Sequence, residues 1–185
     1  GGRGGTEGSE ARCVELCDGS LLFNGRTEKK KRALSIVPPG GTADAQKKWY
    51  ADELPDPSCQ GAVFRHSWPK DGKPGLILYS GPGVDSARAR GTLFGSYDDG
   101  KTWPWKQMYY EGGSGYSDGC VLADGRVAVL FEKDGKINHN MEDDVIRGAT
   151  IAHAKEVTFP PPPPKVAAIA AAPKKTAPQE LTAEE

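Results

Sequence analysis

Along residues 11–159 the apolar positions come in short runs closed by turn-forming pairs, the pattern of β-strands joined by tight turns rather than of long helices. Strands are predicted at 11–16, 20–24, 31–37, 61–66, 75–80, 91–96, 105–109, 120–122, 126–131 and 149–154. Asp18-Gly19 turns the first run into the second, and Pro38-Pro39-Gly40-Gly41 closes the third. The pair Asp-Gly recurs at Asp71-Gly72, Asp99-Gly100, Asp124-Gly125 and Asp134-Gly135, so the repeating unit is an antiparallel meander. Groups of four strands over roughly 40–50 residues have the period of propeller blades. The ordered region therefore accounts for about three blades, an arc whose open edges ring closure would normally remove.

The ends differ in character. Residues 1–8 read as a flexible lead-in. The chain opens Gly1-Gly2-Arg3-Gly4-Gly5 without a methionine, so the true N-terminus is expected upstream, together with any targeting segment. After Phe159 come five consecutive prolines and then Ala/Pro/Lys-rich sequence. Polyproline is stiff and lacks backbone donors, and such a composition cannot bury a core, so 160–185 is predicted to be a disordered tail.

Composition changes this picture little. The 24 glycines and 15 prolines agree with a turn-rich chain. A formal net charge of -1 carries no nucleic-acid signature, and no apolar run approaches the roughly 20 residues that span a bilayer. The charge run Glu28-Lys29-Lys30-Lys31-Arg32 reads as a solvated hairpin tip. Cys13, Cys17, Cys59 and Cys120 are too scattered for a zinc site and read as buried free thiols, with a disulfide as the alternative. His66, His139 and His153 show no partner spacing, so no metal is indicated.

The segment Gly112-Gly113-Ser114-Gly115-Tyr116-Ser117-Asp118 places a tyrosine among small residues just before a predicted strand, leaving its hydroxyl open. Alone it is an ordinary turn tyrosine. Glu10, Arg26 and Arg88 also fall near strand ends, and a glutamate, two arginines and a tyrosine suit a site that holds a carboxylate and attacks beside it. Each has a bland alternative: Arg26 and Arg88 as surface arginines, Glu10 as a solvated charge in the lead-in.

Ser96-Tyr97-Asp98-Asp99-Gly100-Lys101-Thr102-Trp103 matches the Asp-box pattern S-x-D-x-G-x-T-W. In that pattern Ser96, Asp98, Gly100 and Thr102 build a tight turn and Trp103 packs between strands. The motif is specific for structure and nearly silent about chemistry.

The order of the remaining segments narrows the choice. Glu10-Ala11-Arg12-Cys13-Val14-Glu15-Leu16 and Asn24-Gly25-Arg26 come first, then Leu54-Pro55-Asp56-Pro57-Ser58-Cys59-Gln60-Gly61. Arg88-Ala89-Arg90-Gly91-Thr92 leads into the Asp box, followed by Gly113-Ser114-Gly115-Tyr116-Ser117 and Val129-Leu130-Phe131-Glu132. Over residues 7–155 this series resembles the C-terminal half of exo-α-sialidases, the neuraminidases of the bacterial and animal type. The resemblance implies part of a six-bladed all-β propeller over residues 9–159, with Tyr116 as nucleophile and Glu10 as the residue that accepts its proton. It implies Arg26 and Arg88 as the second and third members of an arginine triad gripping the sialic acid carboxylate, with Arg90 competing for the third place. Glu132 matches a carboxylate that braces the first arginine, or pairs with Lys133 or Lys136. Gln60 satisfies loop backbone groups or stands at the mouth of the site.

The family's first arginine and its acid/base aspartate find no counterpart, because Asp18, Asp98 and Asp124 sit in turns. The chain is therefore expected to have little turnover alone. The implied partners are sialic acid-containing glycans (glycoproteins, gangliosides, oligosaccharides), with no nucleic acid, no cofactor, and a secreted, periplasmic or lysosomal location. A glycan-binding or scaffold propeller remnant without hydrolysis is the alternative.

Overall fold

The structure, a computed structural model, describes residues 9–42, 47–134 and 148–152. The lead-in 1–8 and the tail 160–185 lie outside the described residues, as do Gly135 of the last Asp-Gly pair, His139 and His153. The described residues form strands and no helix: β1 (Ser9–Glu15), β2 (Leu21–Arg26), β3 (Lys31–Val37), β4 (Lys47–Pro55), β5 (Ala62–Ser67), β6 (Leu76–Pro82), β7 (Ala89–Ser96), β8 (Trp105–Val121), β9 (Val127–Lys133) and β10 (Gly148–Ala152). β1–β4 make one antiparallel meander. β5–β8 make a second, and β8 continues into β9 and β10. The all-β propeller architecture predicted from the turn spacing is what the chain adopts, as two complete four-stranded blades and three strands of a third.

The turns follow from their residues. At Asp18-Gly19 and Asp124-Gly125 the same pair of bonds forms: Gly19 N–H donates to Leu16 O and Leu16 N–H to Ser20 O, and Gly125 N–H to Leu122 O and Leu122 N–H to Arg126 O. Each glycine takes a positive φ (81° and 85°), a conformation that closes three-residue hairpins with a bulge. Asp71-Gly72 has positive φ at both residues, which suits the tighter two-residue turn closed by Lys70 and Lys73.

Two strand assignments need correction. β4 was not expected, because Lys47-Lys48-Trp49-Tyr50-Ala51-Asp52-Glu53-Leu54 buries only Ala51 and Leu54. It is the outer edge of its sheet, where charged side chains are usual and the hydrophobic alternation is weak. Conversely, 112–118 is not a turn. β8 runs unbroken through it, pairing with β7 as far as Gly113 and with β9 from Ser114. Its glycines mark close approach instead: a Cβ on Gly113 would stand 3.2 Å from Asp134 Cα.

Two cores alternate through the second blade. Leu76, Leu78, Leu93 and Trp105 face Val127, Val129 and Phe131 of the third blade. The intervening Ile77, Tyr79 and Phe94, with Trp103, face Val14, Leu16, Leu22, Leu34, Ala51 and Leu54 of the first. Because side chains alternate along a strand, covering both faces of a blade makes β6 buried throughout. The Asp box supplies part of this joint. Asp98 accepts from Thr102 N–H (2.9 Å), Thr102 Oγ1 (2.7 Å) and Ser96 Oγ (2.8 Å), and Ser96 Oγ accepts from Gly100 N–H (2.8 Å). Trp103 is then carried into the core, edge-on to Tyr79 at 6.4 Å. The next residue, Asp99, binds Cys17 N–H (3.1 Å) and Arg65 Nη2 (3.1 Å), tying the first blade's turn to the second blade.

Arg32 departs from the solvated charge run predicted for 28–32. It is fully buried, as is its partner Asp56 at 3.0 Å. Its Nε donates to Asn24 Oδ1 (2.6 Å), its Nη1 also to Cys59 O (2.5 Å), and its guanidinium lies over the Tyr79 ring. Asp56 in turn accepts from Thr27 N–H (2.7 Å) and Cys59 N–H (2.9 Å). A buried charge needs this many partners to offset its lost hydration. The cysteines also correct the expectation of burial: all four are free, but Cys13 and Cys120 are exposed and only Cys59 is buried. Burial pushes the Cys59 thiol up to about 12. Burial, with the hydrogen bond to Asp99, raises the Cys17 thiol to about 11.

Candidate active site

The strand ladders break at the places from which the predicted site residues project. The β1–β2 register shifts between Ser9 and Arg12, leaving Glu10 in a bulge with φ 54°. The β7–β8 register shifts on either side of Gly91, just past Arg88, and the β8–β9 register shifts between Ser114 and Ser117, around Tyr116. A bulge adds a residue to one strand and re-aims its side chains, and a glutamate at positive φ is uncommon enough to need outside support. Arg26 closes β2. Together these irregularities turn residues from the first, second and third blades toward one another.

The contacts are direct. The Tyr116 hydroxyl donates to Glu10 Oε1. Arg26 Nη1 donates to Glu10 Oε2 (2.9 Å) and to the Tyr116 oxygen (3.0 Å). Arg88 lies over the Tyr116 ring, 5.4 Å from its centroid, and its Nη2 donates to Ser58 O (2.9 Å). Arg90, the rival for that place, is exposed and its carbonyl accepts from Thr92 Oγ1. Glu132 Oε2 accepts from the Tyr116 N–H (2.9 Å), and Gln60 Oε1 from the Ser117 N–H (3.0 Å), so both hold the strand segment that carries Tyr116 by its backbone. Among the described residues no arginine pairs with Glu132, as is expected where the first arginine of the triad has no counterpart. Ser117 is anchored beneath, its Oγ donating to Ser80 O at 3.0 Å.

Glu10 lies within a β-strand rather than in a flexible lead-in, and its side chain is about one-third exposed. Burial pulls its pKa upward, but the hydrogen bonds from Tyr116 and Arg26 and the charges of Arg26 and Arg88 outweigh this and hold it below 4.5. Tyr116 is shifted the other way. Burial and the adjacent Glu10 carboxylate raise its phenol above 10.0, and the two guanidinium groups only partly oppose them. Arg26 and Arg88 do favour the phenolate, but burial and Glu10 outweigh them, so in the resting site the proton stays on Tyr116. An open depression of about 420 Å³ adjoins these groups, lined by Glu10, Gln60, Tyr116, Leu130 and Glu132 among others. Arg12 and Asp118, which the sequence reading did not single out, pair across it at 2.5 Å, joining the first and third blades. Both stand in segments quoted above, but nothing in the sequence marks them as partners. Among the described residues no cluster of His, Cys, Asp and Glu could hold a metal ion.

No protein-family model matches the chain. Its curated relatives include a sialidase of Micromonospora viridifaciens, 30% identical over 129 residues (66% of this chain, 20% of the relative). They also include an anhydrosialidase of Macrobdella decora, 30% identical over 144 residues (68% of this chain, 18% of the relative). The chain belongs to the sialidase family. Among solved structures, the leech intramolecular trans-sialidase complexed with 2,7-anhydro-Neu5Ac matches with TM-score 0.67 and 26% identity, covering 80% of this chain and 24% of that one. The intramolecular trans-sialidase of Ruminococcus gnavus in complex with oseltamivir carboxylate matches with TM-score 0.66 and 25% identity, covering 86% and 35%. The chain thus spans about a fifth of the length of the sialidase relatives it matches. A second, shorter similarity links 54 residues, 29% of this chain, at 68% identity to 10% of the NAD(P) transhydrogenase subunit alpha of Cereibacter sphaeroides.

Proposed function

We propose that this chain carries the nucleophile side of an exo-α-sialidase site, acting on terminal sialic acids of glycoconjugates by a retaining mechanism. The observation that carries the reading is the three-way contact of Tyr116 oxygen, Glu10 carboxylate and Arg26 guanidinium. Sialic acid bears a carboxylate on its anomeric carbon, so an anionic nucleophile would be repelled where a neutral phenol is not. Arg26 and Arg88 would hold that carboxylate through paired hydrogen bonds, which the planar guanidinium fork suits better than an ammonium. The Tyr116 oxygen then bonds to the anomeric carbon as the glycosidic C–O bond breaks. The phenolic proton passes to Glu10 and the aglycone oxygen takes a proton from a general acid, or from water where none is supplied. Water afterwards cleaves the tyrosyl–sugar bond. Because Glu10 is the more acidic partner, its capture of the proton is favourable only as the phenolate charge passes into the new bond.

No residue of this chain is assigned as general acid. A positioned acid is worth roughly 10²–10⁴-fold, so turnover by this chain alone is expected to be low. The test is intact-mass and peptide mapping after incubation with a 3-fluorosialyl fluoride, whose leaving group needs no general acid. A sialyl adduct on Tyr116, abolished in Tyr116→Phe with binding of N-acetylneuraminic acid retained, is the expected result. Binding without any adduct would support the second reading, a non-catalytic sialoglycan-binding propeller. Neither binding nor adduct would overturn both. Release of sialic acid from a fluorogenic sialoside at an ordinary rate would show that the chain is more complete than proposed.

A further inference from the structure

The connection between the first and second blades, residues 56–61, touches both arginines and the strand that carries Tyr116. Its centre is Ser58, which the mechanism above does not use. Ser58 Oγ accepts from Arg26 Nε at 3.2 Å, while its carbonyl accepts from Arg88 Nη2 at 2.9 Å. One residue therefore holds both arginines, by its side chain for one and its backbone for the other. The hydroxyl is itself oriented, because it donates to Glu28 Oε1 at 2.6 Å. That bond also gives Glu28, in the charge run at 28–32, a site-side role.

Ser58 is held at a positive φ of 60°, which an L-residue adopts only when its surroundings impose it. The imposing structure lies beneath. Asp56 accepts from Cys59 N–H and Thr27 N–H, and Arg32 donates to both Asp56 and Cys59 O, with Arg32 and Asp56 fully buried. Two residues further on, Gln60 accepts the Ser117 N–H next to Tyr116. Nη1 of Arg88 and Nη2 of Arg26 have no hydrogen-bond partner among the described residues, so each guanidinium is held by Ser58 and keeps donors for a ligand.

We propose that Ser58 is a positioning residue that sets the spacing and tilt of the two guanidinium groups, so that both can face one carboxylate. The inference rests on the reading of Arg26 and Arg88 as a carboxylate clamp. Its test is a double-mutant cycle on the full chain, with dissociation constants for N-acetylneuraminic acid measured by NMR for wild type, Ser58→Ala, Arg26→Lys and the double variant. A lysine cannot reproduce the Nε contact. Loss of a hydrogen bond to a charged group predicts about tenfold weaker binding for Ser58→Ala, and less than twofold further loss on the Arg26→Lys background. Ser58→Gly, which relieves the positive φ and so is expected to fold, should weaken binding more than Ser58→Ala because the carbonyl holding Arg88 is also freed. Equal losses on both backgrounds would overturn the proposal. A second readout needs no ligand: the Arg26 Nε–H should exchange with water at least several-fold faster in Ser58→Ala, and an unchanged rate would overturn the proposal. If wild type bound no N-acetylneuraminic acid at all, the clamp reading would fail, and the exchange rates would still decide the role of Ser58.

Discussion

Substitution of Asp56 by asparagine removes one charge from a fully buried polar cluster at almost constant volume. Asp56 Oδ2 accepts from Thr27 N–H and Arg32 Nη1, and Oδ1 accepts from Cys59 N–H. An asparagine keeps only one accepting oxygen. If it faces Thr27 and Arg32, its amide meets the Cys59 N–H donor to donor, and if it faces Cys59 the clash moves to Arg32. Either way a fully buried guanidinium loses its anionic partner, retaining Asn24 Oδ1 and Cys59 O. Breaking a buried pair in this way costs about 3–5 kcal/mol. At about 4 °C per kcal/mol for a domain of this size, the melting midpoint should fall by on the order of 10–20 °C. Circular dichroism melts and urea titrations of the full chain would measure it. The paired replacement Arg32→Met with Asp56→Leu removes both charges together but leaves the Thr27 and Cys59 N–H donors unpaired, so it should recover only the part of the loss due to the unpaired charge. A midpoint lowered by less than about 3 °C in Asp56→Asn would refute the reasoning, since it would mean the pair is hydrated or dispensable.

Glu10→Gln removes the carboxylate that opposes ionisation of Tyr116, so the phenol should titrate at lower pH than in wild type, read from phenolate absorbance against Tyr116→Phe; an unchanged or higher titration would contradict the assigned cause. The same variant tests the acid limb of stability. Glu10 has a depressed pKa when folded, so its contribution is present above 4.5 and lost as the pH falls through the folded value, and the wild-type advantage in melting temperature should vanish there. Gly115→Ala would press its Cβ on the Glu132 carboxylate and stand 3.2 Å from Glu132 Cβ. The flexible end of Glu132 can move away, so stability should change by no more than about 1 kcal/mol while the Tyr116 N–H loses its acceptor and labelling by the fluorosialyl probe slows several-fold. Equal labelling rates would show that Glu132 does not position the strand.

Much of this protein was legible in the residues themselves. Local signals suffice for Asp-Gly hairpins, because a left-handed glycine demands only its own backbone. They suffice for Lys31–Val37, whose hydrophobic run matches the strand end to end, and for the Asp box, whose bonds lie within a span of a few residues. β4 and the middle of β8 were missed because an edge strand needs little apolar content and because glycines that permit close approach look like glycines that permit a turn. The motifs also nominated Tyr116, Glu10, Arg26 and Arg88. Only the tertiary structure decided that Arg32 is buried and Lys31 is not, and that Ser58 joins the two arginines. Those outcomes depend on blade-to-blade packing and on ladder shifts that reverse the facing of a side chain with a one-residue change. No local pattern encodes such a choice, because residues on either side of the shift are alike in chemistry and differ only in what the neighbouring blade places opposite them.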